Sequence, residues 1–125
     1  MKIIYFGGVG NCKTGAKAYN DRKLTLDIQG RGMVVGVMAV QIHMSGIGSL
    51  KAKRSIVKSV IERMRNRFNA SVSEVDHQDI KNSAVIGISV VSNEGRFVDR
   101  QLDKILDFMR GDGRFYIGQI EREQF

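Results

Sequence analysis

Seven of the twenty residues from Leu50 to Asn69 are Lys or Arg, and Glu62 is the one acid among them. Placed on an α-helix at about 100° per residue, Lys51, Arg54, Lys58 and Arg65 fall within a sector of about 60°. Such a stripe suits a nucleic-acid backbone, whose phosphates accept charge-assisted bonds from Lys and Arg without regard to base sequence. Four such contacts to single-stranded RNA imply a salt slope of about −3, or about sixty-fold weaker binding at roughly 200 mM than at roughly 50 mM salt. The alternative is an ordinary solvated helix face.

Other residues of the right type lie nearby. The stretch "SGIGS" runs into the start of the same helix, where free N–H groups and the helix dipole favour an anion. Gly46, Gly48, Ser49, Lys51 and Lys53 therefore form a candidate phosphate site, unless the glycines only make a turn. "EVDHQD" gathers Glu74, Asp76, His77 and Asp79, three carboxylates and an imidazole that could bind a divalent metal or move a proton. Strand alternation would split them between two faces, however, and Asp76 and Asp79 also suit a turn. Near the N-terminus, "GGVGNCKTG" has Gly7, Lys13 and Thr14 at phosphate-loop spacing, but Cys12 stands where that loop needs a glycine. No helix pattern follows it, so nucleotide hydrolysis is not supported. Cys12 has no second cysteine to pair with, and His43 and His77 alone make no zinc pattern. No cofactor is implied.

These residues sit in a chain of 125 residues with a formal net charge of +7, enough for one globular domain. No apolar run approaches the length needed to cross a bilayer, and no signal-peptide pattern is present, so the chain reads as cytoplasmic. The positive charge is uneven. Residues 1–32 hold six Lys/Arg against two Asp, and the helical stretch holds seven against one acid, while the remainder is net acidic.

From Met33 onward, strand and helix patterns alternate. "MVVGVMAVQIHM" predicts a strand over 34–43, and Leu50 to Phe68 repeats apolar residues at helical spacing behind Ser49 as N-cap. A short strand over 70–75 follows, then "SAVIGISVV". A second helix capped by Ser92 or Asn93 would bury Val98, Leu102, Ile105 and Met109, and "RFYIGQIER" is the last strand. The order βαββαβ predicts an α+β, ferredoxin-like domain over residues 33–125: a four-stranded antiparallel sheet with two helices on one face.

Residues 1–32 do not fit that plan. "QGRG" can be encoded with a GGAGG tract, the sequence that binds ribosomes upstream of a start codon, so Met33 could be the native start and residues 1–32 a translated leader. The other reading is a flexible basic extension.

The stretches "SLKAKRSIVKSVIERMRNRFNASVSEVDHQD" and "AVIGISVVSNE" resemble the YlxP-like family of small bacterial proteins, in one register from Met33 nearly to Phe125. The resemblance implies a ferredoxin-like fold with no settled activity. It also implies a role near the ribosome, because genes of the family commonly lie beside those for translation initiation factor two and ribosome-binding factor A. Two departures stand out. The family often has Glu three residues after the capping Ser, forming a capping box, where this chain has Ala52. The glycine pair of "SGIGSL" is not a family feature.

Neither face of the first strand, nor the third strand, carries an aromatic on which a base could stack, so the sheet is no RNA platform of the RRM type. Both faces are nonetheless apolar. Val35, Val37, Ala39, Val85 and Val91 predict a covered sheet face, and sheet-on-sheet homodimerisation would cover it. Taken together, the residues predict a non-enzymatic, homodimeric module that binds RNA or the ribosome through its first helix. The rivals are a metal- or small-molecule-dependent enzyme centred on "EVDHQD" and a protein-binding subunit using the sheet face.

Overall fold

In the computed structural model, which describes residues 26–28 and 31–125, seven elements follow one another. They are β1 (Leu26–Ile28), β2 (Arg31–His43), α1 (Leu50–Arg67), β3 (Ser71–Asp76), β4 (Ser83–Ser92), α2 (Gly95–Arg110) and β5 (Tyr116–Gln124). From β2 to β5 the order is βαββαβ, and the sheet runs β5-β2-β4-β3 with every neighbouring pair antiparallel. This is the ferredoxin-like α+β fold expected from the patterning. The Gly7–Thr14 loop and Cys12 lie outside the described residues.

Alternation along the strands decides what is buried. Met38, Val40 and Ile42 of β2, with Ala84, Ile86, Ile88 and Val90 of β4, point to one side. Val57, Val60 and Met64 of α1 and Val98, Leu102, Ile105 and Met109 of α2 close over them, and the buried face of α2 is the expected one. A fully buried side chain of this kind contributes about 1.5–3 kcal/mol, so this layer supplies most of the driving force. At Gly36 the second helix comes so close that a Cβ would collide with Val98.

Helix α1 starts where expected: Ser49 is extended (φ −156°), and its hydroxyl accepts from Ala52 N at 3.1 Å. Helix α2 does not start as expected. Strand β4 pairs through Ser92, opposite Val34, so the chain turns later and Glu94 holds the cap position without a side-chain bond. The Ser92 hydroxyl accepts from Glu94 N at 3.4 Å instead. The first strand is longer than the expected 34–43, and β1 pairs with its extra residues, Leu26 opposite Met33 and Ile28 opposite Arg31. Alternating Leu26-Asp27-Ile28 followed in sequence by "QGRG" is the local signal for that hairpin.

Candidate functional site

Helix α1 carries seven cations: Lys51, Lys53, Arg54, Lys58, Arg63, Arg65 and Arg67. The fold treats them in three ways. Lys53 shares a side of the helix with Val57, Val60 and Met64 and is fully buried. Its ammonium donates to His77 O at 2.7 Å and Gln78 O at 3.1 Å, and lies 3.0 Å from Glu74 Oε2. The contact with Glu74 is one of charge rather than an aligned hydrogen bond. A buried ammonium is tolerated only when so enclosed, and here it pins the first turns of α1 to the end of β3.

Arg63, Arg65 and Arg67 are anchored near the other end. Arg65 donates to Val72 O of β3 at 2.7 Å. Arg63 reaches Asp112 at 3.4 Å and lies over the Phe108 ring, and Arg67 lies over Phe68 and Phe108. Asp112 is held more firmly by Arg114, at 2.7 Å, whose guanidinium keeps the carboxyl below the usual range despite its burial. Arg114 in turn donates to Ser59 Oγ of α1 at 3.2 Å.

Lys51, Arg54 and Lys58 remain on the flank facing solvent. Among the described residues Lys51 and Lys58 have no hydrogen-bond or ion-pair partner. Arg54 pairs at 3.6 Å with Asp79, whose side chain is 92% exposed, a contact that solvent largely screens. So of the four expected phosphate contacts, Lys51 and Lys58 project freely, Arg54 is held only by the screened contact with Asp79, and Arg65 is tethered to the edge strand, with no carboxylate partner among the described residues.

The loop before α1 keeps less of its expected site. Gly46 takes φ +73°, the left-handed region that glycine adopts without strain, and neither it nor Gly48 has a close neighbour. The Ser49 hydroxyl is occupied with capping. Lys53 points into the core, so of the two cations proposed there only Lys51 remains near the loop.

Glu74, Asp76, His77 and Asp79 are not brought together. Register shifts between Glu74 and Asp76 where β3 pairs with β4, leaving Val75 as an extra residue that breaks the alternation. Glu74 faces Lys53 under the helices. Asp76 Oδ1 accepts from His77 N at 2.8 Å, and His77, at φ +62°, contacts Ser83 Oγ through Nδ1 at 2.9 Å. Asp79 stands in solvent beside Arg54. Among the described residues no group of three or more His, Cys, Asp or Glu side chains is arranged to hold a metal. No described helix is long and apolar enough to cross a membrane.

Opposite the helices, Val35 pairs with Val91, Val37 with Ser89, Ala39 with Gly87 and Gln41 with Val85, so the five expected face residues do share one surface. Two shallow hollows mark it. One of about 290 Å³ is lined by Ala39, Gln41, His77, Val85, Gln119 and Glu121, and one of about 200 Å³ includes Val37, Val75 and Gly87. Sequence reasoning missed Glu123 here. It lies opposite Val37, is 3% exposed, and among the described residues neither carboxylate oxygen has a hydrogen-bond partner. Strand alternation could have found it, since Glu121 and Glu123 fall on one face of β5.

A family model described as "Protein of unknown function (DUF503)" matches residues 35–122. The chain is similar to "Uncharacterized protein YlxP" of Bacillus subtilis (strain 168), at 32% identity over 76 residues that cover 61% of this chain and 83% of that protein. Among solved structures it is similar to the de novo designed protein Foldit4, with a TM-score of 0.46 and 12% identity over 74% of this chain and 96% of that one.

Proposed function

We propose, from the premise that the chain belongs to the DUF503 family of proteins of unknown function, that it is a non-enzymatic binding module for RNA, free or in the ribosome. It engages cytoplasmic RNA by its phosphates, through the exposed flank of α1. One observation carries the reading: Lys51, Arg54 and Lys58 share that flank without a strong protein partner among the described residues, while the helix's other cations are held by the fold. Cations that stabilise the domain are enclosed or anchored. These three are not, and their stability value is small.

Helix α1 has eighteen residues, about 27 Å of axis, with the three side chains in its first half. They can reach successive phosphates of one backbone, and the start of the helix adds a favourable dipole for anions. Arg65 extends the same line toward β3. Binding of this kind is backbone-directed and shows little base preference. The test is the triple variant Lys51→Glu, Arg54→Glu, Lys58→Glu, assayed for co-sedimentation with ribosomes and for binding to a uridine 20-mer. The expected outcome is loss of both, with an unchanged circular dichroism spectrum. Retained binding by the folded variant would refute the proposal.

A further inference from the structure

The sheet face opposite the helices has one row where both edge strands lose their regular pairing. Gln41 of β2 stands opposite Val85 of β4 in that row. On β5, Gly118 and Gln119 together face Gln41, between the pairs Ile117–Ile42 and Ile120–Val40. On β3, Val75 is extra, just before Asp76 pairs with Val85. A bulge re-aims the side chains around it, and bulges gather beside binding sites. These two flank the hollow of about 290 Å³ lined by Ala39, Gln41, His77, Val85, Gln119 and Glu121. Its volume suits a small ligand group.

Ala39 and Val85 give the hollow apolar surface, while the other four can read the edge of a planar ligand. Gln41 and Gln119 each carry a donor and an acceptor on one flat amide, Glu121 accepts, and His77 brings an imidazole. Among the described residues the Gln41 amide and His77 Nε2 have no hydrogen-bond partner, although both residues are half-buried. The rest of His77 is fixed. Its backbone takes φ +62°, its N–H donates to Asp76 Oδ1 at 2.8 Å, its carbonyl accepts from Lys53 at 2.7 Å, and Nδ1 contacts Ser83 Oγ at 2.9 Å.

Two residues further along the same face of β2, about 7 Å away, His43 stacks on Tyr116 of β5, with centroids 5.3 Å apart and planes 28° from parallel. His43 lies across Gly118, where a Cβ would collide with its ring, so the glycine of the bulge makes room for the pair. Tyr116 remains 63% exposed. A stacking surface therefore exists on this face, supplied by the edge strand β5 and not by the first and third strands of the βαββαβ unit.

This site meets the flank of α1 at the hairpin between β3 and β4. Lys53 holds the carbonyls of His77 and Gln78, and the next residue, Arg54, reaches Asp79 at 3.6 Å. A phosphate can displace so exposed a carboxylate. His77 and Asp79 are two residues apart, at most about 7 Å of chain, so a strand held at Arg54 has its neighbouring base within reach of the hollow.

We propose, on the premise that α1 binds RNA phosphates, that the hollow takes one base of the same strand, an adenine, and that the adjoining base stacks on Tyr116. A Gln amide pairs bidentately with adenine N6 and N7, and Gln41 is the unpartnered amide of the hollow. The phosphate contacts carry no base preference of their own; the hollow adds one.

Equilibrium binding of an adenosine 20-mer and a uridine 20-mer to the full chain, at one salt concentration, tests this. The parent is expected to bind the adenosine strand about ten-fold more tightly, as for a bidentate base contact and a stacked base. Gln41→Leu and Tyr116→Ala should each reduce that ratio to about three-fold and together remove it, with the uridine affinity of Gln41→Leu unchanged. Tyr116 is a surface residue, so Tyr116→Ala keeps the test available should Gln41→Leu fail to fold. Equal affinity of the parent for the two strands would overturn the base site and leave the phosphate reading standing, as would a preference that survives the substitutions. Undiminished binding of the adenosine strand by Lys51→Glu, Arg54→Glu, Lys58→Glu would break the phosphate reading, and with it the shared path proposed here.

Discussion

Lys51 and Lys53 are two residues apart on one helix, yet their charges serve opposite ends. Lys53 is enclosed by Glu74 and two backbone carbonyls and joins α1 to the end of β3. Lys51, with Arg54 and Lys58, faces water on the neighbouring flank. The comparison teaches that a count of basic residues is a poor guide to a nucleic-acid surface, because four of the seven on this helix are structural. What marks a binding cation is the absence of any protein group strong enough to explain it.

The sharpest way to break the comparison is to remove the enclosed charge. Lys53→Met is expected to cost about 3 kcal/mol, the low end for a broken buried pair because the Glu74 side chain keeps 17% exposure. Urea denaturation reads this as a lower midpoint with an unchanged slope. Adding Glu74→Leu should restore most of the loss, since the orphaned carboxylate is then gone. Should Lys53→Met be neutral, the buried cation is not structural.

The Asp112–Arg114 contact tests the same division at the far end of α1. Asp112→Asn is expected to cost about 2 kcal/mol, as for a hydrogen bond to a charged group. The sign with pH follows from the lowered carboxyl. The native state binds this proton less readily than the unfolded chain, so the stabilisation is full above the ordinary carboxylate range and disappears as pH falls through it and below. Arg63 of α1 and Arg114 are the charges facing this group. Acid unfolding of parent and variant should therefore converge at low pH.

Arg65→Met is expected to cost about 1 kcal/mol, because it removes one hydrogen bond to Val72 O while keeping the apolar stem. Least of all, a double-mutant cycle on Arg54 and Asp79 should give a coupling below about 0.5 kcal/mol. The order Lys53, Asp112, Arg65, Arg54 is the thermodynamic form of the comparison, and thermal or urea midpoints would expose any inversion.

Much of the fold was legible in the chain. "SAVIGISVV" is a mostly apolar run bounded by turn residues, and β4 covers it with one residue more, Ser83–Ser92. Ser49 was readable as a cap, and the 3.6-residue period of α2 gave its buried face, because these signals are local. What escaped depends on partners distant in sequence. Lys53 lies in the apolar series with Val57, Val60 and Met64, but its charge suggests solvent until Glu74 and the carbonyls of His77 and Gln78 are placed around it. The extra residue at Val75 follows from the register with β4, and it scatters a cluster that looked compact in one dimension. Strand alternation puts Glu123 on one face of β5 with Glu121, but its burial is visible only once β5 is paired with β2 and it lies opposite Val37. The cationic stripe of α1 was half legible: its angular position followed from spacing, whereas the tie between Arg65 and β3 did not.

The most direct measurement of whether the open flank of α1 binds polyphosphate is the salt dependence of uridine 20-mer binding by the parent and by Lys51→Glu, Arg54→Glu, Lys58→Glu. Three phosphate contacts to a single strand give a slope of about −2, or about twenty-fold weaker binding at roughly 200 mM than at roughly 50 mM salt. The parent should show that slope and the folded triple variant should show no measurable binding. A parent whose binding ignores salt, or a variant that binds as the parent does, would contradict the assignment.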